Sequence, residues 1–154
     1  PRVELVIADG TKFVAETDKR FDVIIVDSTD PVGPGAVLFE EGFYRDAKRC
    51  LTPGGVIVTQ NGVPFLQPDE LASTIRKFRK LFGDASCYLA AIPAYVGGPM
   101  AMGWGSDNVA LRQTTALVLA ERLTSAGFST RYYTPQVHAA AFALPQYVQD
   151  CFPR

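Results

Sequence analysis

This sequence of 154 residues has only three cysteines and one histidine, its net charge is close to zero, and it contains no long apolar run. Its three cysteines, Cys50, Cys87 and Cys151, form neither a disulfide framework nor a metal-ligand spacing. We therefore expect the protein to be located in the reducing cytoplasm. A net charge of -1 lacks the basic excess that bulk binding of nucleic acid requires, which excludes that class of partner. No apolar run reaches the roughly 18–20 residues of a membrane span, so we expect no membrane partner.

Hydrophobic residues make up 47% of the chain and charged residues 20%, which is typical of one globular domain. Apolar, β-branched runs predict strands at 3–8, 21–26, 56–59 and 87–92, and helical spacing predicts helices at 39–51 and 68–82. This alternation with short connections predicts a doubly wound α/β sheet. The unbroken apolar run at 21–26 predicts a strand buried on both faces, as in a parallel sheet.

The second half of the sequence is less regular. We expect a helix at 114–126 that stops at Gly127, then a strand at 130–133 and short helices at 138–142 and 145–151. The Gly- and Pro-rich segment 93–107 predicts either a long structured loop or a bent pair of strands, and segment 52–55 predicts a turn after the helix at 39–51.

Polar residues follow three of the predicted strands, at the edge where open α/β sheets bind their ligands. Asp9 and Gly10 follow the first strand, Asp27 follows the second, and Gln60 begins the tripeptide QNG after the third. Asp and Gly are also ordinary turn residues, so each position alone is compatible with a turn as well as with a site.

The loop DSTDPVGPG at 27–35 is more specific, because it places Asp27 and Asp30 three residues apart. Between Val23 and Tyr44 there is no Lys or Arg to neutralise them. Such carboxylates are unfavourable unless a cation arrives, so we expect a metal or an amine as the ligand. The oxygen ligands are too sparse for a hard metal and no His lies nearby, which favours the amine. The alternative is an acidic loop in which Asp30 only starts a turn.

Tyr95 lies in a second Gly-rich loop. Its hydroxyl can hydrogen-bond an amine and its ring can flank a cation, although simple packing on the loop explains it equally well. We expect structural roles for Trp104 and for His138, the only histidine, and core positions for the cysteines.

Together these segments resemble the spermidine synthase family, the polyamine aminopropyltransferases. The similarity rests on DSTDPVGP at 27–34, LF at 38–39, QNG at 60–62 and IPAYVGG at 92–98, with RYY at 131–133 and HAAAFALPQ at 138–146 also similar to bacterial members. The resemblance implies a Rossmann-like doubly wound sheet of the class I S-adenosylmethionine-methyltransferase type. It also implies that residues 1–154 are the C-terminal part of the catalytic domain, without its N-terminal β-rich segment and first Rossmann strands.

Members of that family transfer an aminopropyl group from decarboxylated S-adenosylmethionine to a diamine, usually putrescine. Spermidine and 5'-methylthioadenosine are the products. The resemblance implies this reaction here, with the donor as a co-substrate and with no cofactor or metal. It also leads us to expect a homodimer or homotetramer for the full-length protein. Both substrates are cationic, which suits a carboxylate-rich loop.

The resemblance also implies roles for individual residues. Asp27 is implied as the proton acceptor and as a contact of the diamine. The other residues implied on the diamine side are Ser28, Thr29, Asp30, Gln60 and Tyr95. The residues implied on the donor side, near its adenine and methylthio groups, are Asp9, Gly10 and Pro34.

Two other functions stay open at this point. An S-adenosylmethionine-dependent methyltransferase shares the sheet, although the acidic rim would repel the carboxylate of that donor. The other is a non-catalytic homologue that binds polyamines, against which the intact Asp27 and Asp30 argue. Within the family, cadaverine, agmatine and spermidine are further candidate acceptors.

Overall fold

The structure, a computed structural model, describes residues 2–95 and 97–153 and is built around a four-stranded sheet. The strands are β1 (Phe21–Val26), β2 (Leu51–Gln60), β3 (Asp84–Ala90) and β4 (Met100–Ser106), in the order β1-β2-β4-β3. β1 and β2 are parallel, whereas β4 runs antiparallel to both β2 and β3. The carboxyl ends of β1, β2 and β3 therefore share one rim of the sheet.

Six α-helices accompany the sheet in the described ranges: α1 (Gly10–Glu16), α2 (Glu41–Arg49), α3 (Pro68–Leu81), α4 (Ala116–Ala126), α5 (Pro135–Ala141) and α6 (Gln146–Gln149). A 3₁₀ helix, Gly33–Phe39, precedes α2, and another, Leu111–Gln113, precedes α4. The helices predicted at 39–51, 68–82 and 114–126 are confirmed as α2, α3 and α4 with shorter bounds. The two short terminal helices are present as α5 and α6. Across the described residues, no helix has both the length and the apolar character that crossing a membrane demands.

The larger part of the core lies where α1, α2 and α3 pack on one face of the sheet. Tyr44 of α2 and Phe78 of α3 are fully buried there, and their rings meet edge to face with centroids 4.8 Å apart. A second apolar cluster joins α3, β3, β4 and α6. Cys50 and Cys87 are buried as predicted, whereas Cys151 is only half-buried at the edge of the second cluster.

β4 resolves the two alternatives left open for 93–107. Residues 100–106 form a regular central strand that pairs with β2 on one side and with β3 on the other. Its two glycines weaken the strand pattern in the sequence, but close packing requires them. A Cβ at Gly103 would lie 2.5 Å from Asn61 Oδ1, and a Cβ at Gly105 would lie 2.8 Å from Phe82 Cδ2. The sheet is therefore mixed rather than wholly parallel.

Two predicted strands do not form in the described chain. Residues 3–8 have no regular structure, and Val3, Leu5 and Ile7 are exposed, because no described strand lies beside them to pair with their backbone. Residues 130–133 form bends instead of a strand. The Thr130 hydroxyl donates to Tyr133 O (2.6 Å) across this bend.

Two other expectations about strands were wrong. β1, the edge strand of the described sheet, is not buried on both faces. Val23 and Ile25, which share one face, are 52% and 72% exposed, because no described element covers that face fully. Residues 52–55 do not turn the chain away from the sheet but belong to β2. The ladder between β1 and β2 shifts its register between Phe21 and Val23 to accommodate them.

Candidate active site

Asp27 and Gln60 are neighbours at the carboxyl rim of the sheet. The parallel register pairs Val26, the last residue of β1, with Thr59, so the residues that follow them, Asp27 and Gln60, lie side by side. The Gln60 side chain is largely buried. In the amide orientation that satisfies both neighbours, it donates to Ser28 O and accepts from Gly62 N, each at 3.2 Å. This arrangement holds the start of the acidic loop (27–35) against the end of β2.

These residues border a cleft of about 340 Å³, which we call the Gln60 cleft. Asp27, Ser28, Gln60 and Tyr95 line it together, so four of the six residues predicted on the diamine side meet here. Its other walls are mostly apolar or aromatic, from Ile25, Val26, Val58, Tyr88, Ile92, Met100 and Met102. A carboxylate and polar groups beside apolar walls suit an alkylamine, which has a charged end and an apolar chain.

A second cleft, of about 370 Å³, is bordered by Gly10, Asp27 and Leu38, and we call it the Gly10 cleft. Its other walls are apolar side chains of α1, β1 and α2. Leu38 belongs to the same 3₁₀ helix as Pro34, and its Cδ2 lies 4.0 Å from where a Cβ of Gly10 would stand. Of the nine predicted site residues, Asp27 alone borders both clefts.

Asp9 lies directly before Gly10 and caps α1. Its Oδ1 accepts from the backbone N–H groups of Thr11 (2.9 Å) and Lys12 (3.3 Å) and from the Thr11 hydroxyl (2.6 Å). The hydrogen bond from that hydroxyl is the main reason why the pKa of Asp9 lies below its usual value. Asp9 Oδ2 accepts no hydrogen bond from the described residues. One oxygen of Asp9 therefore stabilises the helix, and the other is available to a ligand.

The rest of the acidic loop lies outside both clefts. The Ser28 hydroxyl donates to Thr29 O (3.1 Å). Asp30 is exposed, and its Oδ2 accepts from Gln67 Nε2 at 3.0 Å. Within the described residues Thr29, Asp30 and Pro34 line neither cleft, and Asp9 lines neither as well. The structure therefore does not bring these four predicted site residues onto the same walls as Asp27.

Gln67 and Glu70, at the start of α3, lie next to the candidate site and were missed by the sequence analysis. Burial, reinforced by the negative charge of Asp30, raises the pKa of the half-buried Glu70 to about 7, while a hydrogen bond from Asn61 acts in the opposite direction. The sequence does show that Glu70 is an acidic residue in the first turn of a helix. Favourable interaction with the helix dipole explains such a residue without any role in a site.

Trp104 and His138 have contacts that fit the structural roles predicted for them. Trp104 Nε1 donates to Asp84 Oδ2 (3.2 Å), and Tyr133 Oη pairs with His138 Nδ1 (3.3 Å). In the parts of the chain that the structure describes, no three His, Cys, Asp or Glu side chains are grouped so that they could hold a metal ion.

The spermine/spermidine synthase domain, as a sequence family, matches residues 1–115 of this chain. The chain belongs to the spermine/spermidine synthase family. Val96, within the segment IPAYVGG that carried part of the resemblance, lies outside the described residues.

Curated relatives in this family are named polyamine aminopropyltransferases. The protein of that name from a Ruegeria species is 60% identical over 99% of this chain, and polyamine aminopropyltransferase 1 of Pseudomonas aeruginosa is 53% identical over 96% of it. The alignments cover 54% and 52% of those two proteins. The chain thus spans about half the length of the curated relatives it matches.

Two solved structures are also similar to this chain. A spermidine synthase in complex with the transition state analogue AdoDATO matches with a TM-score of 0.87 and 32% identity, over 98% of this chain and 51% of that one. The spermidine synthase from Thermotoga maritima matches with a TM-score of 0.84 and 32% identity, over 98% of this chain and 50% of that one. These likenesses confirm the predicted fold class, the Rossmann-like sheet of class I methyltransferases.

Proposed function

We propose that the protein containing this chain is a polyamine aminopropyltransferase. It transfers the aminopropyl group of decarboxylated S-adenosylmethionine to putrescine and releases spermidine and 5'-methylthioadenosine. The donor is a co-substrate, and the reaction uses no further cofactor. Relatives named for aminopropyl transfer and the similar spermidine synthase bound to a transition state analogue support this proposal.

The observation that carries the proposal is the position of Asp27 on both clefts. A transferase must hold its donor and its acceptor on two sides of one reacting carbon, and a carboxylate common to both binding regions is placed to act on the pair. The donor would occupy the Gly10 cleft and the diamine the Gln60 cleft. The residues that we propose to contact the diamine are Asp27, Ser28, Thr29, Asp30, Gln60 and Tyr95. Those that we propose to contact the donor are Asp9, Gly10 and Pro34.

The reaction is a single displacement. The lone pair of the acceptor nitrogen forms a bond to the carbon next to sulfur, the C–S bond breaks, and its electron pair remains on sulfur, which becomes a neutral thioether. The attacking amine must be neutral, and we assign Asp27 as the group that takes the proton from the bound ammonium. The walls of both clefts are mostly apolar, so they hydrate the charged sulfonium less well than water does before it is neutralised.

Three wider features belong to the same proposal. Residues 1–154 are the C-terminal part of a catalytic domain, which the coverage of about half of each relative supports. The protein is cytoplasmic, which its three unpaired cysteines support. The complete protein is a homodimer or a homotetramer, and light scattering of the purified protein tests that state.

The complete protein, incubated with decarboxylated S-adenosylmethionine and putrescine, tests the proposed function. We expect mass spectrometry to detect 5'-methylthioadenosine and spermidine in equal amounts. Ordinary S-adenosylmethionine is the matched control donor, and its carboxylate should make it inactive. Methylated product from that donor would support a methyltransferase instead, and no product with putrescine, cadaverine, agmatine or spermidine would overturn the proposal.

A further inference from the structure

Glu70 has a buried oxygen with no partner. It lies in the first turn of α3, and its Oε1 is removed from solvent but forms no hydrogen bond with any described residue. An unsatisfied buried carboxylate oxygen costs free energy, so such an atom in a native structure calls for a group that completes it.

Asp30 is held next to this glutamate by Gln67. The Gln67 amide donates from Nε2 to Asp30 Oδ2 (3.0 Å), and its Oε1 accepts from Val63 N (3.1 Å). The Gln67 side chain crosses directly over Gly62, where a Cβ would overlap the amide oxygen. Gly62 has a φ of +61°, which also favours glycine there. Both ends of the Gln67 amide are therefore used to fix the carboxylate of Asp30 against the start of α3.

The two carboxylates have no cation between them. No ion pair among residues 2–95 and 97–153 includes Asp30 or Glu70. Burial and, after it, the negative charge of Asp30 raise the pKa of Glu70 to about 7. Burial also raises the pKa of Tyr44, with smaller contributions from the charges of Glu70 and Glu40. The groups that bear on the pKa of Glu70 from the neighbouring elements are thus acidic or neutral: Asp30 from the acidic loop and Asn61 directly after β2. Tyr44 of α2, which is also neutral, lies close enough to be affected by the charge of Glu70.

We propose that Glu70 is a specificity-determining residue on the acceptor side, which together with Asp30 selects amines that carry a second ammonium group. This inference rests on the proposed function. The attacking nitrogen of the diamine lies at Asp27 in the Gln60 cleft. The ammonium at the other end of the diamine lies between Asp30 and Glu70, and donates to the unpartnered Oε1.

Glu70 also makes this selection dependent on pH. Below its pKa of about 7 in the empty site, Glu70 is protonated and attracts the distal ammonium only weakly. Above that pH it is ionised and attracts the ammonium more strongly, which favours putrescine over a monoamine of equal chain length. The preference for the diamine should therefore rise as the pH increases through about 7.

Putrescine and n-butylamine, compared as acceptors in the complete protein, test the role of Glu70. They share a four-carbon chain, but n-butylamine lacks the distal ammonium. We expect Glu70→Gln to raise the KM for putrescine about 10- to 100-fold, the usual effect of losing a charge-assisted hydrogen bond, and to leave the KM for n-butylamine within about twofold. The ratio of the two KM values should change with pH near 7 in the wild type and be flat in the variant.

Asp69→Asn is the matched control, because it removes the same charge from the adjacent exposed position of α3 and should leave both KM values unchanged. Thermal unfolding of each variant checks that the fold is retained. An equal loss with both amines, or a putrescine KM like that of the wild type, would overturn the role of Glu70 while leaving the transfer reaction in place. Absence of transfer by the wild type would overturn the proposed function itself, and this role with it.

Discussion

Two neighbouring cavities on one face of the sheet share Val58 and Tyr88 but differ in chemistry. The Gln60 cleft has a carboxylate, an amide and three hydroxyl-bearing side chains on its walls. The other, which we call the aromatic cavity, measures about 250 Å³ and is almost wholly apolar. Its lining residues are Val58, Tyr88, Leu89, Ala90, Trp104, Tyr132, Tyr133, Val137, His138, Ala141 and Phe142.

The difference lies in how the polar atoms are satisfied. In the aromatic cavity, Trp104 Nε1 and the Tyr133 hydroxyl already bond to protein partners. In the Gln60 cleft, the Asp27 carboxylate is exposed and accepts no hydrogen bond from the described residues. These two polar groups of the aromatic cavity are already used by the fold, whereas the Asp27 carboxylate stands on the wall of a cleft at a strand end, where it can bind a ligand. We therefore expect substitutions in the cleft to change activity, and substitutions in the cavity to change stability.

The largest expected effect is that of Asp27→Asn in the complete protein. Loss of the proton acceptor should lower kcat by about 10²- to 10⁴-fold, the usual contribution of general base catalysis, without changing the thermal unfolding temperature. Release of 5'-methylthioadenosine measures the rate. Asp22→Asn is the control, because it removes a carboxylate from the opposite end of β1, where Asp22 accepts from Thr52. Turnover at the wild-type rate by the Asp27 variant would remove the distinction between the two cavities.

Asp30→Asn should have a smaller and more selective effect. Asp30 is proposed to attract the diamine and lies outside the Gly10 cleft, so we expect the KM for putrescine to rise about tenfold and the KM for the donor to change much less. Steady-state kinetics with each substrate varied in turn separates the two. An equal rise in both KM values would contradict the assignment of Asp30 to the diamine side.

Trp104→Phe tests the other side of the comparison. The variant loses the hydrogen bond to Asp84, while Arg112 still pairs with that carboxylate at 2.5 and 2.7 Å. We expect a loss of about 1–2 kcal/mol in the free energy of unfolding and a kcat/KM within about twofold of the wild type. Chemical denaturation and the transfer assay measure the two quantities. A large loss of activity at unchanged stability would mean that the aromatic cavity also binds substrate.

The smallest expected effect concerns His138 and pH. Burial lowers the pKa of His138 below its usual value, so the folded state binds a proton less readily than the unfolded state. The stability that depends on neutral His138 is present above pH 6.5 and is lost as the pH falls through the lowered pKa. His138→Gln should make unfolding temperatures between pH 7 and 5 decline less steeply. An identical decline in both proteins would show that the imidazole is not titrating in this environment.

The rim of the sheet was predictable from the sequence because each of its residues directly follows or ends a short apolar run. Asp27 and Gln60 were therefore placed correctly with no knowledge of tertiary contacts. The central strand β4 could not be predicted with equal clarity. Gly103 and Gly105 weaken a strand pattern, and the reason for them, the close approach of Asn61 and Phe82, exists only in the folded chain.

Strand pairing and charge interactions between distant segments are the other features that the sequence does not reveal. Residues 3–8 have the composition of a strand, yet a strand needs a neighbour, and composition does not reveal whether one is present. Glu70 was overlooked because its environment is assembled from three separate segments: the acidic loop, the end of β2 and the start of α3. Asp30 and Glu70 are forty positions apart in the sequence, so no local pattern reveals that they are close in space.

A crystal structure of the complete protein with putrescine and 5'-methylthioadenosine bound together tests the central claim most directly. We predict the nucleoside in the Gly10 cleft, putrescine in the Gln60 cleft, and the Asp27 carboxylate within hydrogen-bonding distance of the putrescine nitrogen that faces sulfur. Putrescine bound elsewhere, or with its reactive nitrogen out of reach of Asp27, would contradict the account.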